Sequence, residues 1–286
     1  MKRFKNGIWL LLGLLLLTGC GAGQNAAPET TAAMVETTLA TEETTPATEP
    51  ELTEQAAGIA LADGVYLADF ETDSSMFHAN EACDGKGTLT VRDGQMTLHV
   101  SLASTNIVNL FVGTAEQAQQ DGAVWLEPTV DTVTYSDGLS EEVNGFDIPV
   151  EAVEQEFDLA LIGKKGVWYD HKVSVQNPVP QEGSYVCDVA LEGGSGRATV
   201  ESPAVLVSDG KTITATIVWS SPNYEYMIVD GVQYDPVQEE GNSTFQIPVV
   251  LGQKMAVSAS TVAMSQPHLV DYTLYLDGAS LRPEGE

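Results

Sequence analysis

The stretch KGVWYDHKVS, residues 165–174, alternates as a β-strand does. Val167, Tyr169, His171 and Val173 fall on one face; Trp168, Asp170, Lys172 and Ser174 fall on the other. A phenol and an imidazole therefore point the same way as two valines. Either they sit at a sheet edge for solubility, or they line a pocket. Tyrosine oxygen, histidine nitrogen and methionine sulfur can each bind a metal or enter a hydrogen bond. A second group of such donors comes later: Met227 in SSPNYEYMIVDG, and Met264 and His268 in STVAMSQPHLVDY, with Tyr272 just beyond. Tyr224 and Tyr226 crowd beside Met227, with Trp219 and Tyr234 nearby. Such a cluster suits a flat apolar ligand or a protein partner. It equally suits a core, where Met most often serves as filler.

Other chemistries lack their residues. There is no Cys-x-x-Cys, no His-Glu-x-x-His, no P-loop and no Gly-x-Ser-x-Gly, so nothing points to an enzyme. GGSGRA (193–198) precedes a strand rather than a helix and is no phosphate cradle. TYSDGLSEE (134–142) is acidic but lacks EF-hand spacing.

The ends say where the protein works. Met1-Lys2-Arg3-Phe4-Lys5 is basic, Ile8 to Leu17 is apolar, and Leu17-Thr18-Gly19-Cys20 completes a lipobox. Residues 1–20 thus read as a lipoprotein signal, with Cys20 as the lipidated residue. The expected location is the extracytoplasmic face of the cell membrane, held by acyl chains. The apolar run falls short of the about 20 residues a membrane span needs. Residues 21–57 are rich in Thr, Glu, Ala and Pro and hold no Lys, Arg or aromatic residue. They read as a disordered tether. Beyond it the chain carries 34 acids against nine bases. That balance excludes nucleic acid as a partner, since its phosphates demand a basic footprint.

An internal repeat organises the rest. FDIPVEAVEQEFDLALIG from 146 aligns with FQIPVVLGQKMAVSASTV from 245 at a constant offset of 99, which carries Tyr169 onto His268 and Val173 onto Tyr272. Upstream, LTVRDGQMTLHVSLAS aligns with VLVSDGKTITATIVWS, setting Asp93-Gly94 on Asp209-Gly210 as hairpin turns. Each copy opens alike, with ADGVYLADFET and QEGSYVCDVAL. Alternating runs separated by Gly, Asp and Asn give seven to eight short strands per copy and no convincing helix. The expected fold is all-β: two tandem immunoglobulin-like β-sandwiches over 58–178 and 179–286, parted by the turn signal Asn177-Pro178-Val179-Pro180. Cys83 and Cys187 then lie in different copies and read as free thiols rather than a disulfide. His99 points away from the apolar face of its strand and reads as solvent-exposed.

Each copy resembles the NEAT (near-iron-transporter) domain, an immunoglobulin-like sandwich of Gram-positive surfaces that binds haem or haemoproteins. The resemblance rests on the Gly-Tyr opening strand, the Ser-Met lip DSSMFHANEA, the Asp-Gly hairpin, the Phe-x-Ile-Pro-Val strand and the YDHK strand. It implies haem as the ligand and the first Tyr of a Tyr-x-x-x-Tyr strand as the iron ligand. In the first copy that position is Tyr169, with Val173 in place of the second Tyr; in the second copy it is His268, with Tyr272 standing. The expected first site is Tyr169 and His171 under a lip of Ser75, Met76 and Phe77. The expected second site is Met227, Met264 and His268, with Tyr224, Tyr226 and Tyr272. The metal donors are then Tyr169 in one and Met227, Met264 and His268 in the other. Two readings follow: a lipoprotein that binds haem or another iron complex for an ABC importer, or a protein-binding or adhesion module whose partner is a haemoprotein or a transporter component.

Overall fold

The computed structural model describes residues 58–238 and 240–285. The signal, Cys20 and the tether lie outside them. The first strands are β1 (Gly64–Thr72), β2 (Lys86–Arg92), β3 (Gln95–Ser101), β4 (Ile107–Val112), β5 (Thr129–Thr134), β6 (Ser140–Val150), β7 (Glu156–Gly163), β8 (Trp168–Tyr169) and β9 (Lys172–Pro180). The rest are β10 (Gly183–Cys187), β11 (Val189–Gly193), β12 (Ala204–Ser208), β13 (Ile213–Val218), β14 (Tyr224–Val229), β15 (Val232–Tyr234), β16 (Thr244–Val249), β17 (Lys254–Thr261), β18 (His268–Leu276) and β19 (Arg282–Pro283). The protein is all-β, as the alternating runs required. The one α-helix among the described residues, α1 (Ala115–Ala118), is a single turn with a Thr114/Gln117 capping box.

Strands β1–β9 form one sheet in the order β4-β7-β9-β1-β2-β3-β6-β5, with β8 beside β7. Strands β10–β19 form two sheets, β16-β13-β12-β10-β19 and β11-β18-β17-β14-β15. One local difference separates the plans. β1 runs unbroken through a bulge between Leu67 and Asp69 and pairs with both β2 and β9. Its counterpart is interrupted at Asp188, so β10 and β11 go to different sheets.

The pairing register makes the repeat visible. Tyr66, Leu89, Leu98 and Ile148 sit side by side on four strands, all nearly or fully buried. Tyr185, Leu206, Ala215 and Ile247 form the matching row. Tyr66 and Tyr185 each donate their hydroxyl to the carbonyl four residues back, Ala62 and Gln181. Phe146 and Phe245 are both fully buried, each contributing roughly 1.5–3 kcal/mol of apolar burial. The second halves also match, down to a bulge after Ile107 in β4 and after Tyr224 in β14.

Two sequence expectations change in register. The constant offset of 99 fails beyond β16: the loop before β17 is one residue shorter than the loop before β7, and the β17–β18 connection is three residues longer than the β7–β8 one. Tyr169 opposite Leu161 corresponds to Val270 opposite Ala259, and His171 corresponds to Tyr272, not to a residue near His268. Second, Asn177-Pro178-Val179-Pro180 is no linker: it continues β9, where Val179 and Pro180 pair with Leu67 and Tyr66. The prolines are tolerated because β7 leaves β9 after Ser174, so their other edge is free of a ladder.

The segment just before β1 acts as a strap. Ile59 bridges Val153, Leu61 is buried, and the Ala62 N–H donates to the Gly278 carbonyl at 2.9 Å. A Cβ on Gly58 would meet the Ala152 Cβ at 2.3 Å, and one on Gly252 would meet Ile59 Cγ2 at 2.1 Å. The strap thus lies against both strand sets, which share one compact unit. Both described cysteines are free, Cys187 buried and Cys83 partly so.

His99 is not the plain exposed residue its sequence position suggested. Its Nδ1 meets Asp147 at 2.8 Å and its Nε2 meets Asp131 at 3.0 Å, while the Ser101 and Thr129 hydroxyls donate to Asp131. Burial alone would lower its pKa. The hydrogen bond to Asp147 and the charges of Asp131 and Asp147 outweigh that and raise it. A raised folded-state value stabilises fully below the unfolded value of about 6.5 and is lost as pH rises through the folded one. His99→Ala should therefore lower the urea midpoint more at pH 6 than at pH 9, as unfolding curves at the two pH values would report. An equal loss at both would make the imidazolium irrelevant.

Candidate ligand pocket

The β7–β8 hairpin and the lip after β1 enclose a pocket of about 470 Å³, within the size range of small-molecule sites. Its apolar wall comes from Met76 and Phe77 of the lip, Ile107 of β4, Leu161 of β7 and Val167. The stretch expected as one strand is broken, but Tyr169 at the end of β8 and His171 in the gap before β9 both line the pocket. Tyr169 is 53 % exposed, and no described residue hydrogen-bonds its hydroxyl. Tyr66, by contrast, is buried with its hydroxyl committed to Ala62, and burial drives its pKa upward. The phenol of Tyr169 is thus free to meet a ligand.

The lip is fixed by short-range polar contacts. The Thr72 hydroxyl donates to the carbonyls of Ser74 and Phe77, and Ser74 Oγ accepts the Met76 N–H at 3.2 Å. Phe77 is 1 % exposed, packed edge-on to Phe70 and tilted against the His171 ring. Met76 is 80 % exposed at the rim. Ser75 is exposed, and Ser74 takes the wall position expected of it. Asp73 locks the lip to the strand. One of its oxygens meets His171 Nδ1 at 2.7 Å, and the other accepts the Lys172 N–H at 3.1 Å. Those two hydrogen bonds hold its carboxyl below the usual range.

Lys164 and Lys165 also line the pocket. Sequence reasoning passed over them, although an adjacent lysine pair in so acidic a chain was a usable signal. Asp73 gave none, since it lies 98 residues from His171.

The second expected site is not assembled. Met227 is fully buried, and the Trp219 indole N–H donates to its sulfur at 3.3 Å, so it is core filler and not a metal ligand. Tyr224 and Tyr272 are also buried, their hydroxyls 3.3 Å apart and both rings packed on Trp219. Burial, then the bond to Tyr272, pushes the Tyr224 phenol up. Met264 is 57 % exposed in the β17–β18 loop, and His268 is exposed where β18 begins, opposite Thr261. Tyr226 is partly exposed beyond the bulge in β14. The two methionines therefore occupy opposite environments, core and surface, and do not form a sulfur pair.

The register explains the difference. Ile107 and His171, which line the first pocket, correspond to Tyr224 and Tyr272. Two phenols meeting on an indole fill what an isoleucine and an imidazole leave open. Among the described residues no three His, Cys, Asp or Glu side chains gather around a point where a bare ion would sit. No protein-family model matches this chain, and no curated protein sequence matches it.

Proposed function

We propose that the protein is a lipid-anchored surface protein whose pocket takes haem, or a similarly flat iron complex, for delivery to an ABC importer. One observation carries the reading: an unengaged phenol, Tyr169, stands beside an apolar pocket whose wall also holds an imidazole. A single phenolate suits an iron whose other positions a macrocycle already fills. Phe77, Ile107 and Leu161 offer apolar surface to such a ring. The lipobox at Leu17–Cys20 supports the location, and the likeness to NEAT domains supports the importer.

Hemin titrated into the purified protein should give a Soret shift, and Tyr169→Phe should weaken binding by roughly tenfold or more. Phe keeps the ring and removes only the donor oxygen. Absence of any Soret shift in the wild type would end the reading. A protein-binding role would then remain, favoured by the exposed Val124 and the Trp125–Trp168 pair, whose rings stand 5.1 Å apart on the far face of β8.

A further inference from the structure

Lys164 and Lys165 occupy the tip of the β7–β8 hairpin. The Gly166 N–H donates to the Gly163 carbonyl at 2.8 Å, and Gly166 takes a φ of 73°, closing a tight turn with the two lysines at its centre. Both residues line the pocket. Other described lysines are answered: Lys86 by Asp69, Lys172 by Asp158 at 2.7 Å, Lys254 by Glu192 at 3.5 Å and Lys211 by Asp84 at 3.9 Å. No described carboxylate pairs with Lys164 or Lys165, although acids outnumber bases 34 to nine beyond the tether. Two like charges side by side raise each other's energy unless an anion joins them. An acid group on a bound ligand would supply that anion.

We infer that Lys164 and Lys165 select the ligand by its acid groups: the pocket takes an apolar, plate-like body with carboxylates on one edge, with or without a metal at its centre. This rests on the haem reading for the shape of the ligand, but not for the iron. The iron bond and the acid contacts come from different residues, so they can be separated.

Three probes do so with the full chain: hemin, metal-free protoporphyrin IX, and its dimethyl ester, which keeps the plate and removes the acids. Porphyrin fluorescence reports the last two, and the Soret band reports the first. The free acid should bind roughly tenfold or more tighter than the ester. Added salt should weaken the acid and spare the ester. Lys164→Gln/Lys165→Gln should bring the two together, whereas Tyr169→Phe should weaken hemin and leave metal-free porphyrin unchanged. An ester bound as well as the acid by the wild type, or a preference that survives in the double variant, would overturn the inference while the haem reading stood. Binding of metal-free acid with no Soret shift for hemin would support the lysine role and remove the iron. Failure of all three probes would remove both.

Discussion

Trp219→Ala should destabilise the protein by about 3–5 kcal/mol. The indole is fully buried. Its ring lies tilted against Tyr224 at a centroid distance of 3.9 Å, meets Tyr272 edge-on at 5.1 Å and donates its N–H to Met227. Truncation removes the largest buried side chain of that half and leaves two ring faces and a thioether around a void. Collapse is hindered, because Tyr224 and Tyr272 hold one another through their hydroxyls. Trp219→Phe should lose much less, since the aromatic contacts persist and only the weak N–H to sulfur bond goes. Urea unfolding followed by circular dichroism would measure both. A loss below about 1.5 kcal/mol for the alanine variant would mean that the surrounding rings close the gap.

Filling the first pocket with the residues of the second set should abolish ligand binding without unfolding the protein. Ile107→Tyr/His171→Tyr installs the counterparts Tyr224 and Tyr272 at matching places in the register. The two phenols would occupy space now lined by Ile107, His171 and Phe77. Hemin affinity should fall at least roughly a hundredfold, while the far-ultraviolet spectrum stays that of an all-β protein. A variant that folds and still shifts the Soret band as the wild type does would place the ligand elsewhere. Each single variant checks whether overpacking alone is responsible.

Much of the fold was written in local patterns. Met96, Leu98, Val100 and Leu102 alternate along QMTLHVSL, and the last three are buried while Met96 is only partly so. The Asp93-Gly94 pair predicted a hairpin, and both residues take positive φ as a tight two-residue turn demands. Asp209-Gly210 looked the same, yet only Gly210 does so; Asp209 instead accepts the N–H groups of Lys211 and Thr212. The spacing of Tyr169 and His171 was legible from a two-residue repeat, although the chain leaves the strand between β8 and β9 and His171 lies in that gap. Their counterparts were not, because a loop one residue shorter and a hairpin connection three residues longer shift every later correspondence, and no strand announces its partner. For the same reason Met227 could be seen as a sulfur but not as a buried one. Asp73 and the His99 cluster needed long-range pairing that composition does not contain.

The strap has a mechanical consequence. Load drawn along the chain ahead of Gly58 enters the fold at Ile59, Leu61 and Ala62, before it reaches β1. Ile59 bears on Val153 and Gly252, and Ala62 on Gly278, so tension is divided between both strand sets instead of peeling β1 from its sheet. The pocket's lip begins directly after β1, and it is shielded from the pull by everything the strap grips first.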